Sequence, residues 1–262
     1  MVLDFTGKRA VVTGGANGIG NAMARVLAAA GARVVIFDIA SERPAEAAAA
    51  FGGEGRVLDV TGRAALGRAF AEIVPDVVMA NAGISGWEDL QDTTPESWNR
   101  IIGVNLTGAF YTVHAAAESM MPRRTGAIVI TASTNSYEGE AGLVAYNSAK
   151  AGLLGVLHTT ANELGPYGIR VNAVCPGLIR TRLTEPFFFG TERGKEYFRN
   201  IPLGRGGSTE EVANAAVFLA SDLASFVTGA ALFVDGGQMA ARAGTWDEER
   251  AEFIGDHWRL RG

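Results

Sequence analysis

Short, near-continuously apolar runs rich in valine and isoleucine recur along this chain, separated by alanine-rich helical stretches. The runs are Arg9–Thr13, Arg33–Phe37, Val57–Leu58, Val77–Met79, Ala127–Ile130, Val171–Val174 and Ala231–Val234. A strand that is apolar at every position, rather than at alternate ones, must be covered on both faces. The helical candidates 18–30, 42–51, 62–73, 96–122 (read as two helices), 146–164 and 209–221 supply that cover. One crossover helix per strand makes the sheet parallel. The expected fold is therefore α/β, a doubly wound sheet of about seven parallel strands with helices on both faces. No Ser/Pro-rich linker, charge block or repeat divides the 262 residues, so a single domain is expected over 1–262.

Composition narrows the function classes. The chain is 48% hydrophobic and 19% charged, which suits a large core and excludes a disordered or fibrous chain. A net charge of −5 gives nothing to attract a phosphate backbone or an anionic bilayer, so neither nucleic acid nor membrane is an expected partner. The lone Cys175 excludes a disulfide framework and a thiolate cluster. His114, His158 and His257 are dispersed, so no metal is expected. Met1-Val2-Leu3-Asp4-Phe5 carries an acid where a signal peptide has basic residues, and no apolar window reaches a membrane-spanning length. A cytoplasmic setting is expected.

Directly after the first strand, Thr13-Gly14-Gly15-Ala16-Asn17-Gly18-Ile19-Gly20 opens a helix. A pyrophosphate that approaches the amides of a helix N-terminus needs a turn free of side chains, and glycines provide it. The second strand ends in Asp38, eighteen residues after Gly20 and followed by Ile39. An acid here accepts the adenosine ribose hydroxyls and repels a 2′-phosphate, so NAD is the expected cofactor. Asp59-Val60, ending the third strand, is placed to touch the adenine, and Asn81-Ala82-Gly83 makes a further small turn on the same crevice. The expected cofactor contacts are thus Gly14, Asn17, Gly18, Ile19, Gly20, Asp38, Ile39, Asp59, Val60, Asn81 and Gly83.

Tyr146 and Lys150 share a helical face at i, i+4. A free phenol has a pKa near 10, so taking a proton at pH 7 to 8 needs a shift of roughly 3–4 kcal/mol. The Lys150 ammonium, with the positive ring of an oxidised nicotinamide, is expected to supply it. Lysine is scarce, only Lys8, Lys150 and Lys195 against twenty arginines, so one heading an apolar helix stands out. Ser133, just beyond the fifth strand, can hydrogen-bond a substrate oxygen. Asn105 interrupts a helical run where asparagine is a poor fit; it could hold a water that relays protons from Lys150, or mark a kink or a subunit contact.

Together, T-G-x-x-x-G-I-G at 13–20, N-A-G at 81–83, Asn105, Ser133, Tyr146-x-x-x-Lys150 and Pro176-Gly177 resemble the short-chain dehydrogenase/reductase family of the classical type, over residues 5–237. The resemblance implies a Rossmann-like subunit in which Ser133 polarises the substrate oxygen and Tyr146 is the general acid/base. It also implies that Lys150 binds the nicotinamide ribose, Asn105 holds the relay water, and Pro176, Ile179 and Thr181 border the nicotinamide. The 209–237 segment would resemble the family's tetramer-forming end, so a homo-oligomer is expected. The family's usual double asparagine is here Ala80-Asn81, so one contact is lost.

The expected reaction moves a hydride between NAD and a secondary alcohol or ketone, a small-molecule partner. An NADPH-linked carbonyl (3-oxoacyl-type) reductase and a non-catalytic dinucleotide scaffold are the alternatives. Thr134–Glu140 is polar and acidic and hints at a sugar or polyol, whereas Pro186-Phe187-Phe188-Phe189 hints at an apolar alcohol. Arg180 and Arg182 could greet an anionic group or form a surface pair. Residues 178–207 are too irregular for one element and read as a substrate lid. The tail 238–262 carries Trp246, Phe253 and Trp258, and is expected to pack on a neighbouring subunit or the active-site mouth.

Overall fold

The computed structural model describes residues 3–241 and 244–261; the first two positions of the amino-terminal reading and residues 242, 243 and 262 of the tail lie outside the described residues. The chain alternates strand and helix in the order β1 (Arg9–Thr13), α1 (Gly18–Ala29), β2 (Arg33–Asp38), α2 (Pro44–Ala49), β3 (Glu54–Val57), α3 (Arg63–Ile73) and β4 (Val77–Ala80). It continues with α4 (Pro95–Ile102), α5 (Ala109–Met120), β5 (Gly126–Thr131), α6 (Val144–Leu164) and β6 (Ile169–Pro176). The last part holds α7 (Glu185–Phe188), α8 (Glu192–Phe198), α9 (Thr209–Ala220), β7 (Ala231–Val234), β8 (Ala251–Ile254) and β9 (His257–Leu260).

Seven parallel strands form one sheet in the order β3-β2-β1-β4-β5-β6-β7. The chain runs outward from β1 to β3 and then returns to place β4 beside β1. That reversal opens a crevice at the carboxyl ends of β1 and β4. Each face has its own core: Leu66, Phe70, Val113, Leu153 and Leu157 on one side, and Met23, Leu27, Val212 and Val217 on the other. The α6 stripe Ala145, Ala149, Leu153, Leu157, Ala161 and Leu164 recurs every three or four residues and faces the sheet. Ser208 and Glu211 close the start of α9 as a reciprocal capping box.

The third strand differs from the expectation: it spans Glu54–Val57 and ends two residues before Asp59. As an edge strand it is only half covered, so it carries no continuous apolar run. The 96–122 region is indeed two helices. What parts them is a π turn over Gly103–Gly108.

Beyond the sheet, the tail folds into the antiparallel hairpin β8–β9 and packs on α8 of its own chain. Trp258 and Phe198 are fully buried there, with Ile201 and Ala251 beside them. The Trp258 indole donates to Lys195 O at 3.0 Å and the Trp246 indole to Ile201 O at 3.0 Å, so neither N–H is buried unpaired. Burial of an aromatic side chain stabilises by about 1.5–3 kcal/mol. The tail thus fastens the 178–207 segment from outside. Among the described residues, no helix is long and apolar enough to cross a membrane.

Candidate active site

The glycine turn after β1 is shaped by close approaches. A Cβ on Gly20 would stand 2.1 Å from Gly14 O, and Gly14 and Gly18 hold φ values of 63° and 54°, which L side chains avoid. Behind the turn, the Asn81 amide donates to Gly14 O at 3.1 Å and Thr13 O at 3.2 Å and accepts from Thr131 Oγ1 at 3.1 Å. Asn81 is therefore a brace that ties β1, β4 and β5 together, rather than a side chain free to meet a cofactor. At the start of α1, Asn17 leaves the helix uncapped and donates instead to Glu42 Oε2 at 2.6 Å. The first N–H groups of α1 thus have no side-chain partner, and no Cβ crowds them; the turn fits a dinucleotide pyrophosphate.

Asp38 closes β2 beside that turn and accepts from the amides of Ala16 (3.0 Å) and Ile39 (2.9 Å). Burial pushes its carboxyl up, and the two amides pull it back. Ile39 is exposed next to it, and Val60 is buried against Gly108. Asp59, exposed, is engaged with the amide and hydroxyl of Thr61. On the far side, β6 ends at Pro176, and Ile179 is buried where the chain bridges to Gly207. Thr181 lies over Gly18 and shares a hydroxyl contact with Thr184 at 3.1 Å. Ile19 packs into the core under α1.

The crevice also gathers Ser133, Tyr146, Lys150 and Asn105. Ser133 Oγ accepts from the Asn135 amide at 3.2 Å, which fixes the turn after β5. Tyr146, on the first turn of α6, keeps part of its surface open. Lys150 is 4% exposed; its Nζ donates to Thr131 O at 2.8 Å and stands 5.5 Å from the centre of the Tyr146 ring. Burial lowers the Lys150 ammonium to about 8.

The expected lowering of the Tyr146 phenol belongs to the complex with an oxidised nicotinamide. In the protein alone the Tyr146 phenol is raised, not lowered: burial deprives the phenolate of water, the Ser133 hydroxyl draws it back, and the Glu140 carboxylate raises it further. The Lys150 ammonium is meanwhile turned to Thr131 O. Asn105 sits in the π turn with both ends of its amide engaged: Nδ2 donates to Ile84 O (2.8 Å) and Ile101 O (3.0 Å), and Oδ1 accepts from Ile84 N (3.3 Å). Both Nδ2 hydrogens are thus used, while Oδ1 accepts a single bond. The kink reading and the site reading of Asn105 meet in one residue, since π turns leave a helix locally irregular.

The acidic turn after β5 meets groups that no spacing in the sequence announced, and its Glu140 is close enough to act on Tyr146. Gln238 donates to Glu138 Oε1 at 3.0 Å and to Tyr197 Oη at 3.2 Å, and so joins the tail, the turn after β5 and helix α8. Its own Oε1 is buried with no partner among the described residues. Asn135 donates to Asn147 Oδ1 and Asn147 to Glu140 O, both at 2.8 Å, which pins the acidic turn to α6. Burial raises the Glu140 carboxyl, and Asn135 and Arg193 moderate it. Burial and nearby Glu140 push the Tyr197 phenol to about 12. Arg193 stacks over Trp87 at 4.3 Å and Phe188 at 4.7 Å, so the 178–207 segment meets the loop after β4. Tyr197 and Gln238 sit in segments without periodicity, which is why only the fold could bring them forward.

The family described as enoyl-(acyl carrier protein) reductase matches residues 14–239. An L-rhamnose 1-dehydrogenase (NAD(P)(+)) of Azotobacter vinelandii is 40% identical over 247 residues, 88% of this chain and 96% of that one. The 3-oxoacyl-acyl-carrier-protein reductase of Escherichia coli is 38% identical over 243 residues, 90% of this chain and 98% of that one. Among solved structures, a protein of Agrobacterium tumefaciens provisionally named a gluconate dehydrogenase superposes with a TM-score of 0.88 at 32% identity, covering 92% of this chain and 100% of that one.

Proposed function

The chain belongs to the short-chain dehydrogenase/reductase family, and on that premise we propose that it is an NAD-linked dehydrogenase that oxidises a secondary carbinol on a polyhydroxylated substrate, a sugar or sugar acid. That it is an oxidoreductase using a nicotinamide dinucleotide follows from the family; the preference for NAD and the substrate class are our reading. The observation that carries the reading is the polar cluster that Gln238 ties together, with Glu140 close enough for its charge to be felt at both Tyr197 and Tyr146. The orphaned Gln238 Oε1, the Glu138 and Glu140 carboxylates and the Tyr197 hydroxyl offer one partner after another to vicinal hydroxyls. A buried acceptor left without a donor costs about 1–3 kcal/mol, which a bound hydroxyl would recover.

In this reading Ser133 donates to the substrate oxygen and the Tyr146 phenolate takes the hydroxyl proton. A bound nicotinamide supplies the hydride acceptor, and its positive charge adds to that of Lys150 in favouring the phenolate. Gly14, Asn17, Gly18, Ile19 and Gly20 would hold the pyrophosphate end, Asp38 and Ile39 the adenosine ribose, Asp59 and Val60 the adenine side, and Pro176, Ile179 and Thr181 the nicotinamide side. Asn81, Gly83 and Asn105 act from behind, as braces of that wall. Lys150, weakened to about 8, can exchange a proton near neutral pH. The chain works as one domain with 178–207 as its lid, as a homotetramer, in the cytoplasm where free dinucleotide is held.

The second reading, an NADPH-linked 3-oxoacyl-type reductase, draws on the likeness to the Escherichia coli enzyme and on the Trp87–Phe188 wall of the lid. Initial rates with NAD+ and NADP+ across aldoses, aldonates and aliphatic secondary alcohols, and with NADH and NADPH on 3-oxoacyl thioesters, separate the two. Preference for NAD+ with an aldose or aldonate supports our reading. Turnover confined to 3-oxoacyl thioesters with NADPH overturns it.

A further inference from the structure

We propose that Glu42 and Arg182 form a latent seat for a 2′-phosphate at the adenosine end of the crevice, with Arg182 held out of use by its pairing to Glu42. This rests on the reading of Asp38 as the residue that favours NAD.

Three segments far apart in sequence meet at this corner. Glu42 follows β2, Asn17 lies in the glycine turn, and Arg182 follows Thr181 in the segment after β6. Arg182 Nη2 approaches both Glu42 oxygens, at 3.0 and 3.1 Å, while Asn17 Nδ2 donates to Glu42 Oε2 at 2.6 Å. An exposed ion pair usually contributes little. This one differs because the Glu42 side chain is only 24% exposed and is held on two sides. Its charge and that of Asp38 form an acidic wall next to the ribose position, and each raises the cost of bringing a phosphate dianion there. Arg182 is a cation set into that wall, near enough for its charge to be felt at Asp38. Only its Nη2 is engaged among the described residues. The Nε and Nη1 edges keep the donors with which a guanidinium forks a phosphate.

The pair therefore sets the cofactor ratio in opposite senses. Glu42 repels the phosphate and occupies the arginine; release from Glu42 would let Arg182 turn its fork to the phosphate. Dissociation constants for NADH and NADPH, read by fluorescence titration on wild type, Glu42→Gln, Arg182→Gln and the double variant, test this. Glu42→Gln should improve NADPH binding relative to NADH by about tenfold, the worth of one charge-assisted contact. Arg182→Gln alone should move the ratio far less than Glu42→Gln does, since the paired guanidinium is out of use, and the double variant should lose the gain of Glu42→Gln. If the gain survives without Arg182, only charge removal is at work and the seat does not exist; a loss in Arg182→Gln as large as the gain in Glu42→Gln would show the arginine already in use and overturn its latency. Wild type that binds NADPH more tightly than NADH would overturn the NAD reading, while the variant arms still judge the seat. NADH binding by each variant reports that the fold is intact.

Discussion

The carboxamide oxygen of Asn105 lies 2.7 Å from where a Cβ on Gly83 would stand. Gly83 is thus a glycine because Asn105 must pass it to bond both main-chain groups of Ile84. A Gly83→Ala variant should displace that amide and lose about 1–3 kcal/mol of stability. Urea unfolding measures it; a midpoint equal to that of wild type would show that the approach is not tight.

Removal of the Tyr146 hydroxyl addresses the proton step. Tyr146→Phe should lower kcat by about 10²–10⁴-fold while dinucleotide binding stays within a factor of two or so of wild type. Comparable turnover by the two proteins would take the phenol out of the mechanism.

Glu140 raises the Tyr146 phenol from nearby. Glu140→Gln removes that negative charge, so the phenol should ionise more easily and the rise of kcat with pH should move to lower pH. The same change removes an acceptor from the substrate side, so KM for a polyol should increase. A shift of the pH profile in the opposite direction would contradict the electrostatic argument.

Lys150 is lowered from its usual value to about 8 by burial, so between pH 8 and about 10 the unfolded chain binds more of its proton than the folded one does. Its contribution to stability therefore rises with pH across that window. Denaturant unfolding of wild type and Lys150→Met at pH 7.5 and pH 9.5 isolates the effect. The increase should be present in wild type and reduced in the variant; parallel behaviour would mean that the ammonium is not disfavoured by burial.

Trp258 fastens the hairpin to α8. Trp258→Ala should cost about 3–5 kcal/mol locally, speed hydrogen exchange over 192–205, and raise KM more than it lowers kcat. Unchanged exchange in that segment would show that the lid holds its place without the tail.

Much of this protein was legible in its residues because the relevant forces act locally. The continuous apolar runs required a sheet covered on both sides, the glycines of 14–20 marked a turn that needs φ above zero, and Tyr146 and Lys150 were paired by helical period alone. The edge strand β3, with its Glu54-Gly55-Arg56 start, escaped that logic because it is half exposed. Other matters rested on contacts between distant segments. That the Asn81 amide holds the glycine turn, and that burial and Glu140 raise the Tyr146 phenol in the protein alone, emerge only from those contacts. The meeting of Gln238, Glu138 and Tyr197, and that of Glu42 with Arg182, carry no periodic signal. Periodicity reports which face of an element is buried, whereas which side chains converge, and at what electrostatic cost, is decided only when the elements pack.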